Sequence, residues 1–227
     1  MTAILLPPGV YRGLDTVQSL TEVQAAVLDS LGYSWVARYG PLDDRRLEVP
    51  DAHGGDHGGC WTLSPSEARM WGRAGMLLLP VQWGPMRGDV LTAGLGHARG
   101  RAMAAWARWM GIDEGVHLWA DWEGARAVAA GVMYGREYLE AWAAAVLAER
   151  YRAGLYVSLP QPLSGEQLFG LRGYTSYWGA AQGSLPVPLP RDYAIRQSFP
   201  TTIAGVLCDP DVMQADLLGE LPVLWAA

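Results

Sequence analysis

A repeated alternation of short β-like runs with helical segments most constrains how this chain can fold. Five apolar runs, at 12–18, 33–40, 76–83, 115–123 and 153–160, are each followed by a helix or a short helical turn. Strands that alternate with helices form a parallel sheet with the helices packed outside it. The helix over 64–75 has the clearest ends, with Ser64 as cap, Pro65 in the first turn and Gly75 as stop.

The last third of the chain departs from this alternation. Three further strand-like runs, at 174–181, 192–199 and 203–209, have no convincing helix between them. Eight strands of this kind predict an irregular TIM-like (β/α) barrel with a helix-poor final third. An open doubly wound sheet is the alternative architecture. A length of 227 residues suits one barrel, so we predict a single domain over 1–227.

Composition narrows the classes of function. Half of the residues are hydrophobic, which allows a sizeable core. The net charge of -6 and the lack of any basic run argue against nucleic acid as a partner. No apolar run reaches 18 residues, so we predict no membrane span. The first residues lack the pattern of a signal peptide, and we expect a cytoplasmic protein that is released by phage lysis or exported by a secretion system.

Two carboxylates follow the fourth predicted strand, in the stretch "HLWADWEGA" at 117–125. Residues two apart on a strand share a face, so Trp119, Asp121 and Glu123 point the same way. In a barrel that face is the interior, where a carboxylate is tolerated only at the open mouth. Barrel enzymes keep their active sites at the carboxyl ends of the strands. The sequence therefore places Asp121 and Glu123 in a candidate active site.

Other strands place polar and aromatic groups at matching ends. We predict that the mouth also contains Asp15, Asp209, Gln82, Trp83, Tyr156, Trp178 and Gln197. A carboxyl that stays protonated among other carboxylates can act as a general acid, and glycoside hydrolysis uses such pairs. A single carboxylate after a strand can instead cap the next helix, and Asp15 fits that interpretation equally well.

Several motifs resemble a known family when they are taken in order. The segments "RGLDTVQS", "LWADWEG", "AGLYVS", "SYWGAA", "IRQS" and "AGVLCDPDVM" resemble the glycoside hydrolase family 25 lysozymes. They are still more similar to the related glycoside-hydrolase-like domain of the DUF1906 type. The resemblance implies five β/α units followed by three strands.

The resemblance also implies muramidase-type chemistry on bacterial cell-wall peptidoglycan. By position, Glu123 would be the general acid, and Asp121 would stabilise the substrate acetamido group or the charge that develops there. Asp15 and Asp209 would be supporting carboxylates. No cofactor is implied. A non-catalytic glycan-binding or structural barrel of a phage or secreted assembly is the alternative function.

The segment 42–61 is not part of the family pattern. It contains residue types that can bind metals, namely His53, Asp56, His57 and Cys60. Its glycines would leave such ligands poorly organised, so we interpret the segment as a solvated loop over the mouth and predict no metal. A disulfide between Cys60 and Cys208 is an alternative that an intracellular location would disfavour.

Overall fold

The computed structural model describes residues 2–42, 62–85, 89–122 and 125–227, with only the backbone described for 125–134. Eleven strands lie in this part of the chain: β1 (Thr2–Leu5), β2 (Val10–Asp15), β3 (Tyr33–Gly40), β4 (Leu77–Gln82), β5 (His117–Trp122), β6 (Arg152–Val157), β7 (Tyr174–Gly179), β8 (Ile195–Gln197), β9 (Thr201–Ile203), β10 (Val206–Gln214) and β11 (Val223–Ala226). The helices there are α1 (Glu22–Ser30), α2 (Pro65–Arg73), α3 (Ala93–Met110), α4 (Ala125–Ala148) and α5 (Gly165–Phe169).

Eight of the strands form a closed ring, which confirms the predicted barrel and excludes the open sheet. The order is β2, β3, β4, β5, β6, β7, β8, β10 and back to β2. Seven of them are parallel, and β10 is antiparallel to both of its neighbours. Helices follow the early strands, and only the five-residue α5 lies beyond residue 148. The helix-poor final third is thereby confirmed.

The barrel interior is packed with large aromatic rings placed against glycines. Trp35 and Trp119 are fully buried there. A Cβ on Gly13 would lie 2.0 Å from the Trp35 ring, and a Cβ on Gly154 would lie 2.5 Å from the Trp119 ring. Only glycine therefore leaves room for each ring at these two positions. The barrel interior below the mouth is therefore filled with side chains. We call this filled interior the floor of the mouth.

A second hydrophobic layer joins the barrel to its helices. Trp71 of α2, Trp106 of α3 and Trp142 of α4 are fully buried in this layer. Trp109 lies on the solvent side of α3, where 53% of it is exposed.

The strands β1 and β11 close the end of the barrel opposite the mouth. The upper part of β4 pairs with β5, whereas its lower part, at Leu78, pairs with Trp225 of β11. The Val223 amide donates to Nδ1 of the buried His117 on β5, at 2.9 Å. The strand β11 thus links β4 to β5 where those two strands do not pair directly.

No helix in the described part of the chain is long and apolar enough to cross a membrane.

Candidate active site

Three of the predicted carboxylates lie at one end of the barrel. Asp15 ends β2, and Asp121 lies at the carboxyl end of β5. Asp209 lies directly opposite Asp15 in the β2–β10 register. The route by which Asp209 reaches the mouth differs from the predicted one. We expected a parallel strand ending at Asp209, but β10 is antiparallel and carries Asp209 near its start.

Gln197 joins two of these carboxylates to the wall of the mouth. Its Nε2 donates to Asp15 Oδ2 at 2.5 Å and to Asp209 Oδ2 at 3.4 Å. Its Oε1 accepts from the Tyr156 hydroxyl at 3.0 Å. Tyr156 in turn pairs across strands with Asp121. Hydrogen bonds therefore link Asp15 and Asp209 through Gln197 to Tyr156, which is the neighbour of Asp121 in the sheet.

The loop after β2 holds Asp15 in place from both sides. The buried Arg38 guanidinium donates to the Thr16 carbonyl at 2.6 Å and pairs with Glu67 of α2 at 2.7 Å. The Thr16 hydroxyl donates to the Leu207 carbonyl at 2.9 Å. Because the residue next to Asp15 is bound both to Arg38 of β3 and to β10, the carboxylate has little freedom to move away from Asp209.

Asp121 approaches the backbone of the loop that follows β4. Its Oδ2 accepts from the Gly84 amide at 3.3 Å. A Cβ on Gly84 would lie 2.9 Å from the Asp121 carbonyl oxygen, so a side chain there would push the loop away. Beside this contact the half-buried rings of Trp83 and Tyr39 stack with centroids 4.1 Å apart. Together they form an aromatic wall next to the carboxylate.

A fourth carboxylate, Asp211, was missed by the sequence reasoning. It lies on β10 in register with Gly13 and Gln197, and 2% of it is exposed. Its Oδ1 accepts from Trp178 Nε1 at 2.8 Å. The signal was present, because Asp211 follows Asp209 by two positions just as Glu123 follows Asp121. Applying the same two-residue rule to "CDPD" would have found it.

Burial makes several of these groups reluctant to ionise. The pKa of Asp211 is well above its ordinary value because burial and the charge of Asp15 both disfavour a second anion there. Burial also raises the pKa of Asp209. The pKa of the Cys208 thiol rises to about 11, first through burial and then through Asp15 and Asp209. Burial therefore favours the protonated forms of Asp209, Asp211 and Cys208.

Two predicted site residues do not line the mouth. Gln82 points to the outer side of β4, where its Nε2 donates to the carbonyls of Pro41, Leu42 and Arg99. Its neighbour Trp83 faces the mouth. Successive residues of an extended chain point to opposite faces, so Gln82 and Trp83 cannot both line the mouth. Trp178 does face inward, but 1% of it is exposed. It belongs to the floor and offers no ring face to a sugar.

Some of the predictions fall outside the described residues. Glu123 is among them, as are the metal-type residues His53, Asp56, His57 and Cys60. The alternative of a Cys60–Cys208 disulfide is therefore not tested by the described residues. In the part of the chain that is described, no group of three or more His, Cys, Asp and Glu side chains is arranged to hold a metal.

Solved structures of similar shape include a B. stearothermophilus protein described as uncharacterized. It has a TM-score of 0.66 and 20% identity, and the match covers 93% of this chain and 99% of that one. The Tat-secreted protein Rv2525c of Mycobacterium tuberculosis has a TM-score of 0.65 and 14% identity, covering 95% and 98%. Streptococcus pneumoniae GHIP, described as a glycosyl hydrolase 25, has a TM-score of 0.61 and 15% identity, covering 90% and 87%. These likenesses show a shared fold.

A search of curated protein sequences found no match. A family model described as "Rv2525c-like, glycoside hydrolase-like domain" matches residues 26–204, which is most of the chain and includes the strands that carry Asp121, Tyr156 and Gln197. This chain belongs to the Rv2525c-like family of glycoside hydrolase-like domains.

Proposed function

We propose that this protein is a muramidase-like glycoside hydrolase that acts on bacterial cell-wall peptidoglycan. The observation that carries the proposal is the convergence of Asp15, Asp121 and Asp209 at one end of the barrel. Gln197 hydrogen-bonds Asp15, Asp209 and Tyr156, and Tyr156 lies opposite Asp121 in the sheet. A helix cap needs one isolated carboxylate and does not require three that meet. A carboxylate-rich mouth with an aromatic wall is the arrangement that glycoside hydrolysis uses.

Glu123 is the general acid in this proposal. It follows Asp121 by two positions, and the two-residue alternation of a strand predicts that it points the same way as Asp121. Its carboxyl gives a proton to the glycosidic oxygen as the bond to the anomeric carbon breaks. Water then supplies the hydroxyl to that carbon, and its remaining proton restores the carboxyl. Asp121, fixed by the Gly84 amide, stabilises the acetamido group or the positive charge that develops beside it.

In this proposal the sugar hydroxyls are bound by four side chains, those of Asp15, Asp209, Gln197 and Tyr156. The Trp83 ring stacks on a sugar face. Trp83 and Tyr39 together present a flat aromatic surface beside Asp121. Sugar rings carry apolar faces that pack on such surfaces. The wall and the carboxylates therefore contact one glycan strand from two sides.

Proteins of similar fold support this choice of substrate. One is the autolysin LytC of Streptococcus pneumoniae, solved in complex with a synthetic peptidoglycan ligand, and another is the catalytic domain of the endolysin ply40 from Listeria bacteriophage P40. Rv2525c is described as Tat-secreted. We infer that this protein meets its glycan outside the cytoplasm and that residues 1–227 act as a single domain.

Digestion of purified peptidoglycan tests the proposal. Incubation over a wide pH range should release muropeptides with new reducing ends at N-acetylmuramic acid, which mass spectrometry identifies. If no reducing ends appear while the protein sediments with peptidoglycan, the barrel is a non-catalytic glycan-binding module. If it neither cleaves nor binds, the cell-wall substrate is wrong.

A further inference from the structure

Asp211 is a buried carboxylate that the proposed chemistry leaves without a role. It lies on β10 two residues beyond Asp209, deeper in the barrel, and it is buried from solvent. The groups that face it are Asp15 from β2, Asp209 from β10, the neutral Gln197 from β8 and the neutral Trp178 from β7. Both charged groups among them are carboxylates, and neither can compensate a negative charge on Asp211.

Packing alone does not account for an acid at this position. Oδ1 accepts from the Trp178 indole at 2.8 Å, but Oδ2 is buried and has no hydrogen-bond partner among the described residues. A buried polar group without a partner destabilises a fold, and a buried anion does so far more strongly. An apolar residue of similar size would pack there at lower free energy. Groups kept at such a cost cluster at functional sites.

We propose that Asp211 is a positioning residue of the mouth that carries its proton on Oδ2 and fixes the Trp178 ring through Oδ1. This inference rests on the proposed function for its effect on rate. The assignment of the proton follows from the contacts, because the oxygen that accepts from an indole N–H is the carbonyl oxygen of a neutral acid. The unpartnered Oδ2 is then the hydroxyl.

The fixed ring sets the position of the residues above it. Trp178 meets Tyr156 edge-on with centroids 4.9 Å apart, and the Tyr156 hydroxyl donates to Gln197, which binds Asp15. An ionised Asp211 would place a second anion against Asp15. A neutral Asp211 leaves Asp15 as the anion that Gln197 holds, so the carboxylates keep distinct roles.

The decisive variants are Asp211→Asn and Asp211→Leu, with Asp29→Asn on the exposed face of α1 as a matched control. Asn is the uncharged isostere of the protonated acid and keeps the carbonyl that Trp178 binds, whereas Leu removes it. Carbon-13 NMR of the aspartate carboxyls should show one resonance, absent from Asp211→Asn, that titrates well above the others. The Trp178 indole N–H resonance, assigned with Trp178→Phe, should persist in Asp211→Asn and shift in Asp211→Leu.

On peptidoglycan, Asp211→Asn should hydrolyse at close to the parent rate in acid and keep its rate at alkaline pH values where the parent loses activity. Asp211→Leu should lose about 10²-fold, the effect of a misplacement by about 1 Å near the chemistry. A carboxyl of Asp211 that titrates in the ordinary range of an aspartate would overturn the inference, as would an indole resonance that does not shift in Asp211→Leu. A parent that hydrolyses nothing would refute the proposed function, and the two NMR results would still decide the state of Asp211.

Discussion

Glu123 is the carboxyl on which the proposed chemistry depends most directly. Gln in its place keeps the size and hydrogen-bonding capacity but has no proton to give, and general acid catalysis contributes about 10²–10⁴ in rate. We expect Glu123→Gln to lose muropeptide release by about that factor. Glu166→Gln, which changes an exposed acid in the first turn of α5, is the control and should match the parent. A Glu123→Gln variant of normal activity would move the acid to Asp15 or Asp209.

Asp209 should weaken the fold at neutral pH. Burial raises the pKa of Asp209 in the folded chain above its value in the unfolded chain. At a pH between these two pKa values, the folded chain therefore binds more protons than the unfolded chain. Its contribution to stability is therefore present at low pH and lost as pH rises through the folded pKa. Asp209→Asn should unfold at higher urea concentration than the parent at pH 7, and the difference should vanish near pH 3. An unchanged difference across this range would contradict the assigned cause.

The contact of β11 with β5 makes stability depend on pH in the opposite sense. Burial first, then Arg152 and Arg191, lower the pKa of His117 from 6.5 to about 3, and its Nδ1 must stay unprotonated to accept from Val223. The unfolded chain therefore binds the extra proton first, and stability falls as pH drops from 6.5 toward 3. Urea unfolding of His117→Gln should be less sensitive to pH in this window. His97→Gln, at an exposed position of α3, should behave as the parent does.

The strand β6 depends on a glycine that the ring of Trp119 covers. Gly154→Ala forces a methyl to within 2.5 Å of that ring, and overpacking of this kind destabilises by about 1–3 kcal/mol. Gly94→Ala is the matched control, because only the Thr92 hydroxyl lies near, at 3.8 Å, and alanine favours the helix. Denaturant unfolding should show a loss for the first variant and none for the second.

At the level of elements, periodicity was sufficient where a strand or helix is defined by its own residues. The two-residue alternation correctly placed Trp119 and Asp121 inside the barrel, and the Ser64–Pro65 cap marked the start of α2. It failed for β11, whose four residues become a strand by pairing with β1 and, at Trp225, with Leu78 of β4. It also failed for the direction of β10, since a short strand has the same alternation whichever way it runs.

The orientation of Gln82 was beyond local reasoning for a related reason. Its amide is satisfied by the carbonyls of Pro41 and Arg99 and by the Trp142 indole, three groups brought together only by the packing of β3, α3 and α4. A polar residue at a strand end is predicted to face the mouth only when nothing outside the barrel can satisfy it. Whether groups outside the barrel can hydrogen-bond such a residue depends on the tertiary packing, which the local sequence does not show.

For the whole molecule, the ring of strands predicts one cooperative unit. The strand β10 ties residues 206–214 to 10–15, and β11 ties 223–226 to the lower part of β4, so no part of the ring is independent of the rest. Far-ultraviolet and near-ultraviolet circular dichroism should report the same urea midpoint, as two-state unfolding requires. Two separated transitions would contradict the single domain predicted over 1–227.

The antiparallel strand β10 also determines at which stage of folding the mouth can form. Its register sets Asp209 against Asp15, two residues far apart along the chain, and such distant pairings form slowly and late in folding. Every intermediate that lacks this strand lacks half of the carboxylates described at the mouth. On a ribosome, Asp15 emerges long before its partner is synthesised, so a nascent or truncated chain has an incomplete mouth. The mouth is complete only when β10 has paired with β2.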